Sequence, residues 1–136
     1  VPTPDVPDGF APIETSAFVD LLGPLLFNPE TGGYGLRVRP EHANTHGNGH
    51  GGFLATMLDV ACSRGTRSAL ADGSAVSTVS MTLNYLEPAP VGGWLDLTST
   101  VDRAGGRTVF TSGVAAVGGL VVAKAAIILA RHRPRP

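Results

Sequence analysis

Asn44-Thr45-His46-Gly47-Asn48-Gly49-His50-Gly51-Gly52-Phe53-Leu54-Ala55-Thr56-Met57-Leu58-Asp59 is the stretch from which the rest of the chain can be read. Its first half carries four glycines within six positions (Gly47, Gly49, Gly51, Gly52), too many for a regular element. Its second half changes to apolar residues at helical spacing. Phe53, Leu54, Met57, Leu58, Ala61 and Cys62 recur every three or four residues, predicting a helix from Gly51 to Leu70 with a broad apolar face. A second stripe is small and polar: Gly52, Thr56, Asp59, Ser63 and Thr66. An acid between small side chains leaves room for a ligand.

The sequence after the helix predicts a sheet to hold it. Asp72-Gly73 is a turn. Val76 to Tyr85 alternates, with Val79, Met81, Leu83 and Tyr85 on one side and Thr78, Ser80, Thr82 and Asn84 on the other. Pro88 and Pro90 end that strand. Strands follow at Trp94–Arg103, Thr108–Val117 and Leu120–Ala130, with Gly105-Gly106 and Gly118-Gly119 as two-residue hairpin turns. Tight turns make neighbouring strands antiparallel. Before the helix, Thr15 or Ser16 caps a short helix through Leu22, with Phe18, Leu21 and Leu22 as its apolar side. Tyr34–Arg39 is a short strand. Residues 1–13 form a proline-rich, extended arm, and residues 131–136 a basic, frayed tail. The expectation is one α+β domain over 1–136, a long helix packed on an antiparallel sheet.

Composition narrows the function classes. The chain has 136 residues, 43% hydrophobic and 15% charged, which suits one globular core. A net charge of −1 argues against a dedicated nucleic-acid binder. Cys62, the sole cysteine, allows no internal disulfide. The longest apolar run carries Lys124 and is too short to span a bilayer. No basic-then-apolar signal pattern opens the sequence. These features lead to the expectation of a soluble, cytoplasmic protein with no nucleic-acid or membrane partner.

Gly51 and Gly52 at the helix start would present backbone N–H groups that lack intrahelical partners, in the positive end of the helix dipole. Such a terminus can hold an anion or a developing oxyanion. It can also be a plain turn. Asp59 in a largely buried helix costs free energy unless it is paired or used. Asp59 follows Gly51 by eight positions, roughly 12 Å along a helix. One acyl group cannot reach both in a single chain, so joint action would need two copies and a two-fold dimer. His42, His46 and His50 have a spacing seen among zinc ligands, but glycines interrupt any helix between them and no further ligand completes a set, so no metal is expected. His50 is read instead as orienting the loop by hydrogen bonding.

Asn44, His50-Gly51-Gly52 and Asp59 within Ala-Thr-Met-Leu-Asp together resemble the signature of hotdog-fold acyl-CoA thioesterases of the phenylacetate-degradation (4-hydroxybenzoyl-CoA thioesterase-like) type, over residues 30 to 132. The resemblance implies one long central helix wrapped by an antiparallel sheet, assembly into a homodimer or homotetramer, and an active site between subunits. It implies that Gly51 offers its N–H to the thioester oxygen and that Asp59 of the other chain is nucleophile or general base. Asn44 would position water or thioester. A hydroxyl early in the strand after the helix assists, and counting back from Tyr85 puts it at Thr78, with Ser77 the alternative. Gly52, Phe53, Thr56 and Ser63 would shape the acyl pocket. No cofactor is implied, coenzyme A entering as part of the substrate. A hotdog hydratase or dehydratase, with His50 as its catalytic base, and a non-catalytic acyl-CoA binder are the alternatives.

Overall fold

The computed structural model describes residues 6–136. The sheet has seven strands: β1 (Ala11–Pro12), β2 (Leu26–Asn28), β3 (Gly33–Arg37), β4 (Ala75–Tyr85), β5 (Trp94–Ala104), β6 (Thr108–Val117) and β7 (Leu120–His132). They lie in the order β1-β2-β3-β5-β6-β7-β4, with every neighbouring pair antiparallel. Two helices accompany them, α1 (Ala17–Asp20) and α2 (Gly51–Leu70). The expected long helix on an antiparallel sheet is therefore present, and the architecture is that of the hotdog fold.

Helix α2 buries Phe53, Leu54, Met57, Leu58, Ala61 and Cys62, the face that its apolar spacing specified. Alternate residues of the sheet meet it: Leu95 and Leu97 of β5, Val109, Thr111 and Ala115 of β6, and Ala123, Ala125, Ile127 and Leu129 of β7 are all buried. Removing side chains of this size from water contributes about 1.5–3 kcal/mol for each large one. Small residues on both sides of the contact, Gly113 in the sheet and Gly65 in the helix, set how closely the helix lies. A Cβ on Gly113 would sit 2.5 Å from the Cys62 sulfur, and one on Gly65 would sit 2.0 Å from the Ser99 hydroxyl oxygen. The far end of α2 is closed by Ala71 in the left-handed region (φ 51°), whose N–H donates to the Arg67 carbonyl.

Several expectations need correction. The short helix is Ala17–Asp20, capped by Ser16, whose hydroxyl accepts from the Val19 N–H. Its buried residue is Val19, while Phe18 and Leu21 are 61% and 77% exposed. One turn is too short for periodicity to identify its inner face. The arm is more ordered than its prolines suggested. Ala11 and Pro12 pair with β2, and Phe10 packs edge-on against Trp94 at 5.1 Å. The first five residues of the expected arm lie outside the described residues. Strand β2 was not foreseen, being three residues between Pro24 and Pro29. Gly105, Gly106 and Arg107 form a three-residue link rather than a two-residue turn. By contrast, Gly118 and Gly119 have φ of 58° and 81°, both positive as a tight type I′ hairpin requires. Strand β7 runs on to His132, so the tail is not frayed from residue 131. Arg131 is held there by Asp72 at 2.8 Å, and its guanidinium also donates to the Gly105 carbonyl at 3.0 Å.

The tight seat at Gly113 generates a prediction. Gly113→Val should overpack the helix–sheet contact and lower unfolding free energy by about 3 kcal/mol, read as a lower urea midpoint. An unchanged midpoint would show that α2 is not held at this distance.

Candidate active site

The loop before α2 is fixed by side chains that accept its backbone donors. A short 3-10 turn, Pro40–His42, buries the His42 imidazole. Its Nδ1 accepts the Arg39 N–H at 3.0 Å, so the proton resides on Nε2, which donates to the Leu22 carbonyl at 2.6 Å. The ring stacks on Phe53 at 4.0 Å, and the His42 carbonyl accepts the His50 N–H at 2.7 Å. The Asn44 side-chain oxygen accepts the N–H groups of His46 and Asn48, at 2.9 and 3.2 Å. Asn44 thus holds the glycine loop together from inside, and it lines a cavity of about 370 Å³ beside Gly51.

At the helix start the two glycines differ. The Gly52 N–H donates to His50 Nδ1 at 2.9 Å, making His50 the N-cap. Gly52 is therefore not a second free donor, contrary to the symmetrical reading of the glycine pair. Among the described residues the Gly51 N–H has no partner, and it is the donor left for a ligand. The Gly51 carbonyl accepts the Tyr85 hydroxyl at 2.6 Å. A Cβ on Gly51 would meet the Tyr85 ring at 3.1 Å, so this contact favours glycine. Sequence reasoning missed Tyr85; its only signal was its place as the last residue of an alternating strand.

Asp59 is half-buried, and its carboxylate accepts the Thr78 hydroxyl at 2.5 Å. A β-bulge creates this contact. Thr78 pairs with Leu129 and Ser80 with Ile128, leaving Val79 as the extra residue. The bulge reverses the alternation, so Thr78 shares the helix-facing side with Met81 and Leu83, while Val79 is 67% exposed. The simple alternation had put Thr78 on the opposite side from Met81, with Val79 inside. Ser77 points the other way, and its hydroxyl lies 2.8 Å from His132 Nε2. Of the two candidate hydroxyls, the structure brings Thr78 and not Ser77 to Asp59.

Around Asp59, a cavity of about 360 Å³ is lined by Phe18, Ala55, Thr56, Val60 and Met81, among others. The Thr56 hydroxyl donates back to the Gly52 carbonyl at 2.9 Å, and Ser63 is half-buried. Phe53 is packed in the core with one face on His42. The polar stripe is shorter than expected. Thr66 is buried and shares a 2.7 Å hydrogen bond with Thr111, because β6 covers the helix there. Cys62 is buried against the sheet, and burial pushes its thiol up to about 12, with Asp59 and Asp102 adding to the shift. Gly51 and Asp59 line different cavities. A single chain does not bring them together.

The comparisons with known proteins agree with this architecture. Residues 46–124 match the family model of the thioesterase superfamily. A Pseudomonas aeruginosa protein designated an esterase is 33% identical over 125 residues, covering 89% of this chain and 93% of its own. A phenylacetic acid degradation-related protein from Ralstonia eutropha superposes with a TM-score of 0.75 at 24% identity, over 86% of this chain and 92% of that one. A Bacillus halodurans protein solved with CoA gives 0.77 at 21% identity, over 86% and 77%. The chain belongs to the thioesterase superfamily, in its hotdog fold, and is a thioester hydrolase. The pattern of Asn44, His50-Gly51-Gly52 and Asp59 had pointed to this family.

His42 makes the loop sensitive to acid. Burial holds its imidazole below the ordinary histidine value. The Leu22 carbonyl opposes this, Arg39 reinforces it and Glu41 opposes it. The folded state therefore keeps His42 neutral where the unfolded chain, near pH 6.5, takes up a proton. Its contribution is fully present above about pH 6.5 and is lost as pH falls toward the folded value. The melting temperature should drop between about pH 6.5 and pH 5. His42→Gln should flatten that slope even if it melts lower throughout. An equal slope in both proteins would remove His42 as the cause.

Proposed function

We propose that the protein is an acyl-CoA thioesterase whose reacting centre forms between two copies of the chain. The observation that carries this reading is the Asp59 carboxylate, oriented by the Thr78 hydroxyl at 2.5 Å on the accessible side of α2 and out of reach of the Gly51 N–H in its own chain. Membership of the thioesterase superfamily supports the reaction class, and the CoA-bound Bacillus halodurans neighbour supports the carrier.

The geometry of β4 supports the pairing. It is the last strand of the sheet order, so its outer edge is unpaired among the described residues. Tyr85 touches Gly51 and Thr78 touches Asp59. If β4 pairs antiparallel with its copy about a two-fold axis near Met81 and Thr82, Tyr85 of each chain falls opposite Thr78 of the other. That places the Gly51 donor of one chain beside the acid of its partner, twice per dimer.

In this centre the thioester carbonyl oxygen accepts the Gly51 N–H at the positive end of α2. Asp59 either removes a proton from water, which adds to the carbonyl carbon, or attacks that carbon directly to give an anhydride that water then cleaves. The oxyanion collapses and expels the coenzyme A thiolate, which takes up the proton. Thr78 holds one carboxylate oxygen and leaves the other free to react. Asn44 keeps the glycine loop in shape for docking. Thr56 and Phe18 border the space open to the acyl group, whereas Ser63, one turn beyond Asp59 along α2, lies outside that cavity.

A thiol-release assay over a panel of acyl-CoAs tests the reading. Asp59→Asn should fold normally and lose at least about 10²–10³-fold in kcat. Full activity in that variant would refute the assignment. Thr78→Val should lower kcat by about tenfold while Ser77→Ala changes little.

The shared centre has its own test. Gly51→Pro removes the N–H at a first helical position whose backbone suits proline, His50 before it already having extended ψ (142°), and its Cβ, 3.1 Å from Tyr85, obliges that ring to shift slightly. Gly51→Pro and Asp59→Asn should each be nearly inactive. Subunits of the two, mixed and allowed to exchange, should recover about one quarter of wild-type activity, since half the dimers carry one intact site. No recovery after verified exchange would place both groups of a site in one chain.

A further inference from the structure

The C-terminal half of α2 borders a cavity that the thioesterase reading leaves unused. It measures about 430 Å³, and its lining includes Ile13, Phe27, Tyr34, Arg64, Arg67 and Ser68. Arg67 is sixteen positions beyond Gly51 and eight beyond Asp59, roughly 24 and 12 Å along the helix. The cavity shares no lining residue with the one at Asp59 or the one at Gly51.

Three features converge there. Tyr34 is only 7% exposed, yet among the described residues its hydroxyl has no hydrogen-bond partner. A hydroxyl that meets no protein acceptor is left to whatever fills the cavity, water or the oxygen of a ligand. Arg64 and Arg67 stand three positions apart on one helix face. Burial raises the Tyr34 phenol and the two guanidiniums draw it back, so both cations act on this hydroxyl while it stays a donor. Arg64 is steadied by donating to the Glu14 carbonyl, whereas the Arg67 guanidinium has no hydrogen bond or ion pair among the described residues. The nearby Asp72 does not neutralise them, being committed to Arg131 at 2.8 Å. Phe27, its ring 4.9 Å from that of Tyr34, and Ile13 supply an apolar wall.

We propose that this cavity is a binding site for a phosphate monoester, its oxygens held by Arg64, Arg67 and the Tyr34 hydroxyl, its organic part against Phe27 and Ile13. A planar guanidinium fork suits phosphate, and three donor groups match the three terminal oxygens of a monoester. Inorganic phosphate shares the anionic chemistry but makes no use of the wall.

Calorimetric titration of the intact protein with phenyl phosphate and with inorganic phosphate tests this. Saturable binding is expected, weakened about tenfold in both Tyr34→Phe and Arg67→Gln. Tyr34→Phe should melt within about 1 °C of wild type, since the lost hydroxyl has no protein partner. Tighter binding of phenyl phosphate, reduced by Phe27→Leu, would uphold the monoester; equal affinities would overturn it in favour of free phosphate. No saturation up to about 20 mM, or affinity unchanged in both variants, would overturn the site itself. None of these readouts depends on thioester turnover.

Discussion

Helix α2 can lie this close to its sheet because the residues at the contact are small on both sides. At Gly113 and Gly65 even a methyl group would collide with Cys62 or Ser99, and Ala115, Ala123 and Ala125 extend the low ground. Larger residues, Leu95, Leu97, Ile127 and Leu129, rise on either side of it. The helix is seated in a trough and not merely laid on a surface. Its translation along the sheet is thereby limited, and everything functional in the chain is measured from that helix. The close packing that fixes the core also fixes where the helix start and Asp59 face outward.

Strand β4 then registers the helix against the edge of the sheet. Two hydroxyls on this one strand contact α2, Tyr85 at the Gly51 carbonyl and Thr78 at the Asp59 carboxylate. Both contacts leave the chemically useful group unspent. Tyr85 takes the carbonyl of Gly51 and not its N–H. Thr78 takes one carboxylate oxygen. His50 satisfies the Gly52 N–H, so of the two glycines at the helix start only Gly51 keeps an unpaired N–H among the described residues. The loop before it, tied by His42 and Asn44, needs no help from a ligand to keep that geometry. This is preorganisation in the sense that matters for stabilising a developing oxyanion.

The same helix presents two different sets of polar groups along its length. Near its start and middle, α2 presents a donor and an acid. Its last turns present two arginines beside an unpartnered phenol. Cations near a helix C-terminus are favoured by the dipole. This favours Arg67 in the last turn, while Arg64, one turn earlier, is held by the Glu14 carbonyl. The ligand at that end is inferred from the convergence of these two cations and the Tyr34 hydroxyl, which has no protein partner among the described residues, on one cavity.

The sequence by itself determined α2, because twenty residues of apolar periodicity between a glycine loop and Asp72-Gly73 allow few alternatives. It also determined the three long strands after β4, whose alternation and Gly-Gly turns act locally. The expectation that Gly51 and Asp59 act together across two chains rested on a distance argument and on the family resemblance. Tertiary structure decided the rest. The strand β2 is held by its neighbours and is too short to show a pattern. The inner face of α1 depends on what it packs against. The bulge at Val79 is invisible to a two-residue period, yet it turns Thr78 toward Asp59 and leaves Ser77 on the other side. Tyr85 beside Gly51, and Tyr34 between Arg64 and Arg67, join residues far apart in the chain. Local propensity carries no information about such meetings, which are set by the packing of helix on sheet.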